Sequence, residues 1–223
     1  MERLRQMDEL LVAVDKVSRY YRRGAVELAA LENVTCQIEM NARVAVVGPS
    51  GSGKSTLLHL IAGLDSPSRG VVRWPGLGSQ TELRPDQISL VFQMPSLLPT
   101  LSVLENVELC WLLSKRSEID ARPAALQILE RLGISSILNK LPAELSGGQM
   151  QRVAAARALV CQPRLVLADE PTGQLDRVTA NRLVDVLIES AADYGAALIV
   201  ATHDFEVAGR LETQWRMAHG KLE

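Results

Sequence analysis

The segment Gly48-Pro49-Ser50-Gly51-Ser52-Gly53-Lys54-Ser55 fits G-x-x-x-x-G-K-[ST], and it stands between an apolar run, Arg43 to Val47, and a run of helical spacing, Ser55 to Leu64. Strand, glycine loop and helix in that order are what the motif requires. Glycines at 48, 51 and 53 let the backbone turn its N–H groups inward, so an anion nest forms at the positive end of a helix dipole. Lys54 adds a point charge for β- and γ-phosphates, and the Ser55 hydroxyl is placed for Mg²⁺. Taken alone, the loop permits a kinase, a GTPase or a motor.

Other apolar runs give the loop a setting. Leu10 to Val14, Val71 to Trp74, Ile88 to Phe92, Arg164 to Ala168 and Ala197 to Ala201 read as strands. Three runs, Arg43 to Val47, Arg164 to Ala168 and Ala197 to Ala201, are too uniformly apolar to have a wet face, which suits a parallel sheet covered by helices. Helical patterns follow each of the three, at Ser55 to Leu64, Ala180 to Ala192 and Phe205 to Leu211. Between Leu98 and Val160 the spacing is helical throughout, with helices expected at Val103 to Leu113, Arg122 to Leu132 and Gln149 to Val160. The expected architecture is an α/β core with an inserted helical subdomain.

Two strand ends carry chemistry. Arg164-Leu-Val-Leu-Ala-Asp169-Glu170 ends in two acids, and parallel sheets bind ligands beyond the carboxyl ends of their strands. Asp169 is suited to orient a Mg²⁺ shell and Glu170 to polarise a water attacking the γ-phosphate. A plain turn cap is the alternative for both. His203 follows Ala197 to Ala201 in the same way and reads as a γ-phosphate contact, although a lone histidine at a strand end is commonly just a satisfied polar group.

Composition excludes other classes. A net charge of −2 with interspersed signs gives no footprint for a nucleic-acid backbone. The three cysteines, Cys36, Cys110 and Cys161, lack metal spacing and read as core or near-core thiols in a reducing cytosol. The start MERLRQMDELL lacks the apolar core of a signal peptide, and no run approaches the roughly 20 residues needed to cross a bilayer. With no sizeable extension beyond Glu223, no built-in regulatory domain is expected.

Leu145-Ser146-Gly147-Gly148-Gln149, followed by Gln151-Arg152, matches the signature motif of ATP-binding-cassette (ABC) ATPases, and the chain resembles that family over essentially its whole length. Physically the motif is a serine and two glycines opening a long helix, so it is expected to offer uncapped N–H groups as a second anion site, with an ordinary Ser N-cap followed by glycines as the alternative. The resemblance implies an α/β, P-loop NTPase (RecA-like) core with a small antiparallel β-subdomain and an inserted α-helical subdomain. One domain over residues 1–223 is expected, with 1–93 and 161–223 as core and β-subdomain and 94–160 helical.

The same resemblance assigns residues. Tyr21 matches the aromatic that stacks on adenine, with Tyr20 as a neighbouring alternative. Gln93 matches the glutamine that touches Mg²⁺ and links nucleotide to membrane subunit, and Gly173-Gln174-Leu175-Asp176 matches the loop that crosses between protomers. Thr56 joins the residues at the nucleotide. Two subunits are expected to pair head to tail, so that Ser146, Gly147, Gly148 and Gln149 of one face the phosphates on Lys54 of the other.

Expected partners are a second, identical ATPase chain and integral membrane permeases, at the cytoplasmic face of a bacterial inner membrane. Ala168-Asp-Glu-Pro-Thr-Gly-Gln-Leu-Asp and Pro95-Ser-Leu-Leu-Pro-Thr-Leu-Ser-Val look most like the ATPases of lipoprotein-release, macrolide-export and antimicrobial-peptide-resistance systems. That favours export or mechanotransmission, with a membrane-linked switch of the cell-division type as the alternative. Met94, Leu97, Leu98, Leu101 and Trp111 are expected either in the helical subdomain's core or in a groove for a membrane partner. Asn41 stands where glycine is usual and tolerates the left-handed turn. Residues 71–89, with Pro75, Gly76 and Gly78, look shorter than in relatives.

Overall fold

The computed structural model describes residues 10–24, 26–114 and 116–223. Residues 1–9, where the absence of a targeting segment is expected, lie outside it. The chain forms two compact units, Met1–Leu83 with Ala197–Glu223, and Arg84–Ala196.

In the first unit, β1 (Leu10–Arg23) is central in an antiparallel sheet between β2 (Val26–Glu39) and β4 (Arg69–Arg73). The sequence reading did not find β2, yet its second half alternates cleanly: Val34, Cys36 and Ile38 are buried while Thr35, Gln37 and Glu39 are exposed. The pattern is broken upstream by irregular pairing, with Lys16 and Asn33 both in left-handed conformation at φ 49 and 51. Neighbouring hydroxyls satisfy the freed amides: Lys16 N donates to Thr35 Oγ1 at 3.0 Å and Asn33 N to Ser18 Oγ at 2.9 Å.

The parallel strands of this unit are β3 (Arg43–Val47), flanked on either side by β7 (Ala197–Thr202) and β8 (Thr213–Ala218), with β9 (Lys221–Leu222) antiparallel to β8. Every residue of β3 and β7 is buried, as the uniformly apolar runs require. The turn before β3 does use Asn41 at φ 61. Helix α1 (Lys54–Ile61) is shorter than the predicted Ser55 to Leu64, because Gly63 at φ 66 reverses the chain. The indole of Trp74 donates to the Ile61 carbonyl at 2.7 Å and satisfies one end group. Helix α6 (Phe205–Ala208) likewise stops before the predicted Leu211. Neither β8 nor β9 was expected; β8 is mostly solvent-facing, with Met217 its buried residue, so its hydropathy is low.

The second unit pairs β5 (Ile88–Val91) parallel with the fully buried β6 (Leu165–Asp169). Helices α2 (Val103–Leu112), α3 (Ala121–Arg131) and α4 (Gly147–Leu159) pack on one another, with Val103, Val107, Leu129, Val153 and Leu159 among their buried residues, and α5 (Arg177–Asp193) packs on α4. The buried Asn106 accepts from Leu98 N at 2.8 Å and donates to the carbonyls of Leu98, Leu101 and Ser102, so α2 holds the loop before it. Trp111 belongs to this core: it is buried and donates to the Ser117 carbonyl at 2.8 Å, which removes it from any partner groove. Met94 and Leu98 are exposed.

Candidate functional site

The phosphate loop runs from the end of β3 to α1. A Cβ at Gly48 would stand 2.2 Å from the Met217 carbonyl, and one at Gly53 would stand 2.5 Å from the Ala30 carbonyl, so the loop is seated against β8 and β2 through glycine alone. Gly53 is at φ 104, a conformation that only glycine adopts freely. Inside the loop, Lys54 is buried and its Nζ donates to the Gly48 and Pro49 carbonyls at 2.9 and 3.2 Å. Ser52 is buried as well, with its Oγ making no hydrogen bond among the described residues. No side chain caps the start of α1 and its first turn has no acid, so the amides at its positive end face the loop. These features fit a polyphosphate.

His203 follows β7 and is exposed; with Gly48, Pro49, Phe205, Arg216 and Met217 it lines a cleft of about 540 Å³. The fold therefore brings the predicted histidine beside the phosphate loop. The cleft's other wall, Arg216 and Met217, comes from the strand that sequence reading missed. Tyr21 carries its hydroxyl to Asp65, donating to Oδ2 at 2.8 Å, whereas the Tyr20 ring lies beside Arg69.

In the second unit, Asp169 is buried at the end of β6 and Glu170 follows in left-handed conformation at φ 46. A non-glycine residue held there costs on the order of 1 kcal/mol and is a feature of functional turns. Gln93 is exposed two residues beyond β5, and the buried Gln151 donates to the Phe92 carbonyl at 3.2 Å, tying α4 to the strand end that carries Gln93. Sequence reading gave Gln151 no task beyond its place after the signature motif; its burial as the fifth residue of α4 is visible only in the structure.

Ser146 caps α4. Its Oγ accepts from Gln149 N at 3.2 Å, and Gln149 Oε1 accepts from Ser146 N at 2.9 Å, a reciprocal capping box. This corrects the expectation of uncapped amides: the Gln149 amide is already engaged, and only the Gly147 and Gly148 amides remain for a ligand. A Cβ on Gly147 would stand 3.1 Å from Gln174 Oε1 and one on Gly148 3.0 Å from Leu175 Cδ2, so Gly173-Gln174-Leu175-Asp176 closes over the signature glycines. Asp176 caps α5 by accepting from Thr179 N and Oγ1 at 3.0 and 2.6 Å, and those bonds hold its carboxyl below the usual range.

Residues 31–173 match the family model described as ABC transporter. The chain belongs to the ABC transporter ATPase family. As an ABC ATPase it is 40% identical over 223 residues to the lipoprotein-releasing system ATP-binding protein LolD of Legionella pneumophila (strain Paris), covering 97% of this chain and 98% of that one. It is equally 40% identical to LolD of Shewanella sp. (strain MR-7), over 97% of each chain. Among solved structures it resembles the dimeric ATP-binding cassette MJ0796 in a post-hydrolysis state bound to ADP and Pi, with a TM-score of 0.88 and 37% identity over 96% of this chain and 97% of that chain. The cbiO1 subunit of Clostridium perfringens, part of the ABC transporter complex cbiONQ, matches with a TM-score of 0.81 at 29% identity over 96% and 87%. The α/β architecture expected from the sequence, a P-loop NTPase with an antiparallel sheet, parallel strands and helices, is that of these ABC cassettes. No helix among the described residues of this ABC ATPase is long and apolar enough to cross a membrane.

Proposed function

We propose that this ABC ATPase subunit binds Mg-ATP and hydrolyses it as one half of a head-to-tail dimer, driving export or mechanotransmission through membrane permeases from the cytoplasmic face. The observation that carries the reading is the phosphate loop, with its buried Lys54, its open α1 amides and two glycines, Gly48 and Gly53, that have no room for a Cβ. The chain acts as one nucleotide-binding domain, with residues 94–160 as its helical subdomain. Support for the dimer comes from MJ0796, solved as a dimer with ADP and Pi, and for the membrane system from the LolD relatives.

Roles follow from chemistry. Gly48 to Ser55 with Thr56 cradle the phosphates, and Tyr21 takes the adenine. Ser55, Gln93 and Asp169 are oxygen donors of the kind Mg²⁺ prefers, and the ion would supply charge neutralisation between the phosphates. Glu170, held in its left-handed turn, orients the water whose oxygen bonds to the γ-phosphorus as the bond to ADP breaks. His203 and Lys54 stabilise charge on the transferred group. Ser146 and Gly148 complete the site of the partner subunit, with Asp176 holding the crossing loop.

The test is light scattering and phosphate release on the wild type and Glu170→Gln, with and without Mg-ATP. The expected result is an ATP-dependent dimer without turnover in the variant. Wild-type turnover by Glu170→Gln would overturn its assignment, and an ATP-loaded monomer under all conditions would overturn the autonomous dimer.

A further inference from the structure

A stacking platform for a base works only if the aromatic ring is held at the right distance from the group that binds the phosphates. In this protein the ring of Tyr21 is held by a network whose members lie far apart in sequence. Tyr21 donates its hydroxyl to Asp65 Oδ2 at 2.8 Å. Arg19 grips the same carboxylate with two nitrogens, Nε to Oδ2 at 2.9 Å and Nη2 to Oδ1 at 2.8 Å. The guanidinium carbon of Arg19 lies 4.6 Å from the centre of the Tyr21 ring, within cation–π range. Both members of the ion pair are about one-quarter exposed, 25% for Arg19 and 23% for Asp65, while Tyr21 keeps 38% of its surface open.

Asp65 is in turn fixed to the phosphate loop. Helix α1 begins at Lys54 and ends at Ile61, and the next residues close it tightly, with Gly63 N donating to Leu60 O and Leu64 N to His59 O at 3.0 and 2.9 Å. Asp65 comes next, and its Oδ1 accepts from Ser66 N at 2.7 Å, which fixes its rotamer. A second tie runs beside it: Ser68 N donates to Ser18 O at 2.8 Å and Tyr20 N to Ser68 Oγ at 3.1 Å. The aromatic on β1 and the lysine at the start of α1 are thus two ends of one rigid path. Bidentate pairing fixes angle as well as distance, which a single contact does not.

We propose that Arg19 and Asp65 are positioning residues for the Tyr21 base platform, setting the ring's orientation relative to the phosphate loop so that one face carries the guanidinium and the other receives the nucleobase. The inference rests on the assignment of Tyr21 to adenine. Neither residue touches the phosphates, so their loss acts on recognition of the base and leaves phosphate binding intact.

The experiment compares Kd for ATP with Kd for inorganic tripolyphosphate, which has no base, in the presence of Mg²⁺, for the wild type, Tyr21→Ala, Arg19→Ala and the isosteric Asp65→Asn. The expected result is that ATP binding weakens about fivefold or more in all three variants while tripolyphosphate binding stays within about twofold. Selective loss in Tyr21→Ala with unchanged ATP affinity in both Arg19→Ala and Asp65→Asn would overturn the positioning role and leave the platform standing. Equal weakening of both ligands in Arg19→Ala and Asp65→Asn would show a merely structural ion pair and also overturn it. No selective loss in Tyr21→Ala would remove the platform itself, and the inference with it.

Discussion

The α-carbon of Gly48 faces the main-chain carbonyl of Met217 so closely that a methyl group there would stand 2.2 Å from the oxygen and 2.8 Å from Ser52 Oγ. Gly48→Ala must push β8 away from β3 or distort the phosphate loop, because backbone cannot rotate aside as a side chain does. Overpacking of this kind costs about 1–3 kcal/mol. The variant is expected to unfold at lower denaturant and to lose measurable ATP binding in calorimetry. Wild-type affinity would show that the loop has room this geometry denies.

Asn106 is the hub of the segment that precedes α2. Asn106→Leu would be close in size but would leave Leu98 N and the Leu101 carbonyl without that partner, while the Leu98 and Ser102 carbonyls keep the amides of Leu101 and residue 106. Each buried group left unsatisfied costs about 1–3 kcal/mol. A loss of at least about 2 kcal/mol in urea unfolding is expected, together with faster proteolysis near Leu98 to Ser102. An unchanged unfolding midpoint would contradict the buried network.

The cysteines differ in reactivity. Burial pushes the Cys36 thiol up to about 12, and burial, aided by the neighbouring Cys110 and Asp86, pushes Cys161 up to about 12 as well. Cys161 also donates its S–H to the Cys110 carbonyl at 3.2 Å. Cys110 is half-buried. At pH 8 a thiol reagent is expected to label Cys110 in the native protein and all three after denaturation. Rapid native labelling of Cys161 would sink this ordering.

Acid should loosen the Arg19–Asp65 pair. Partial burial alone raises the Asp65 carboxyl, but hydrogen bonds from Tyr21, the Ser66 amide and Arg19, with the guanidinium charge, outweigh it and hold the group below its ordinary value. A depressed carboxyl stabilises the fold above the unfolded value of about 3.9, and that contribution is lost as pH falls through the lower folded value. The gap in unfolding midpoint between wild type and Asp65→Asn is therefore expected to stay constant from neutrality to about pH 5 and to close below about pH 4. A gap that persists at pH 2 would mean that charge at Asp65 is not its origin.

Much of the site was legible because its constraints are local. The glycines and Lys54 act within one loop, Ser146 caps its helix through an amide three residues on, and β3, β6 and β7 are almost uniformly apolar because both their faces are covered. The capping box at Ser146 and Gln149 was itself readable from an S-x-x-Q spacing, and the expectation of free amides overlooked it. Strand β2 escaped because the bulge at Asn33 breaks its alternation, and β8 because it is mostly exposed. Trp111 was undecidable by type alone: its indole finds the Ser117 carbonyl only once α2 has ended and the chain has turned.

The sequence by itself determined the nucleotide loop, the signature helix, the acidic strand end and the family, since each depends on residues within hydrogen-bonding or steric reach along the chain. Tertiary structure decided which surfaces press on those motifs. Met217 and Ala30 make Gly48 and Gly53 obligatory, and Asp65, 44 positions from Tyr21, fixes the aromatic. Such contacts exist only after distant segments have been brought together, and no local pattern encodes a neighbour that folding alone supplies.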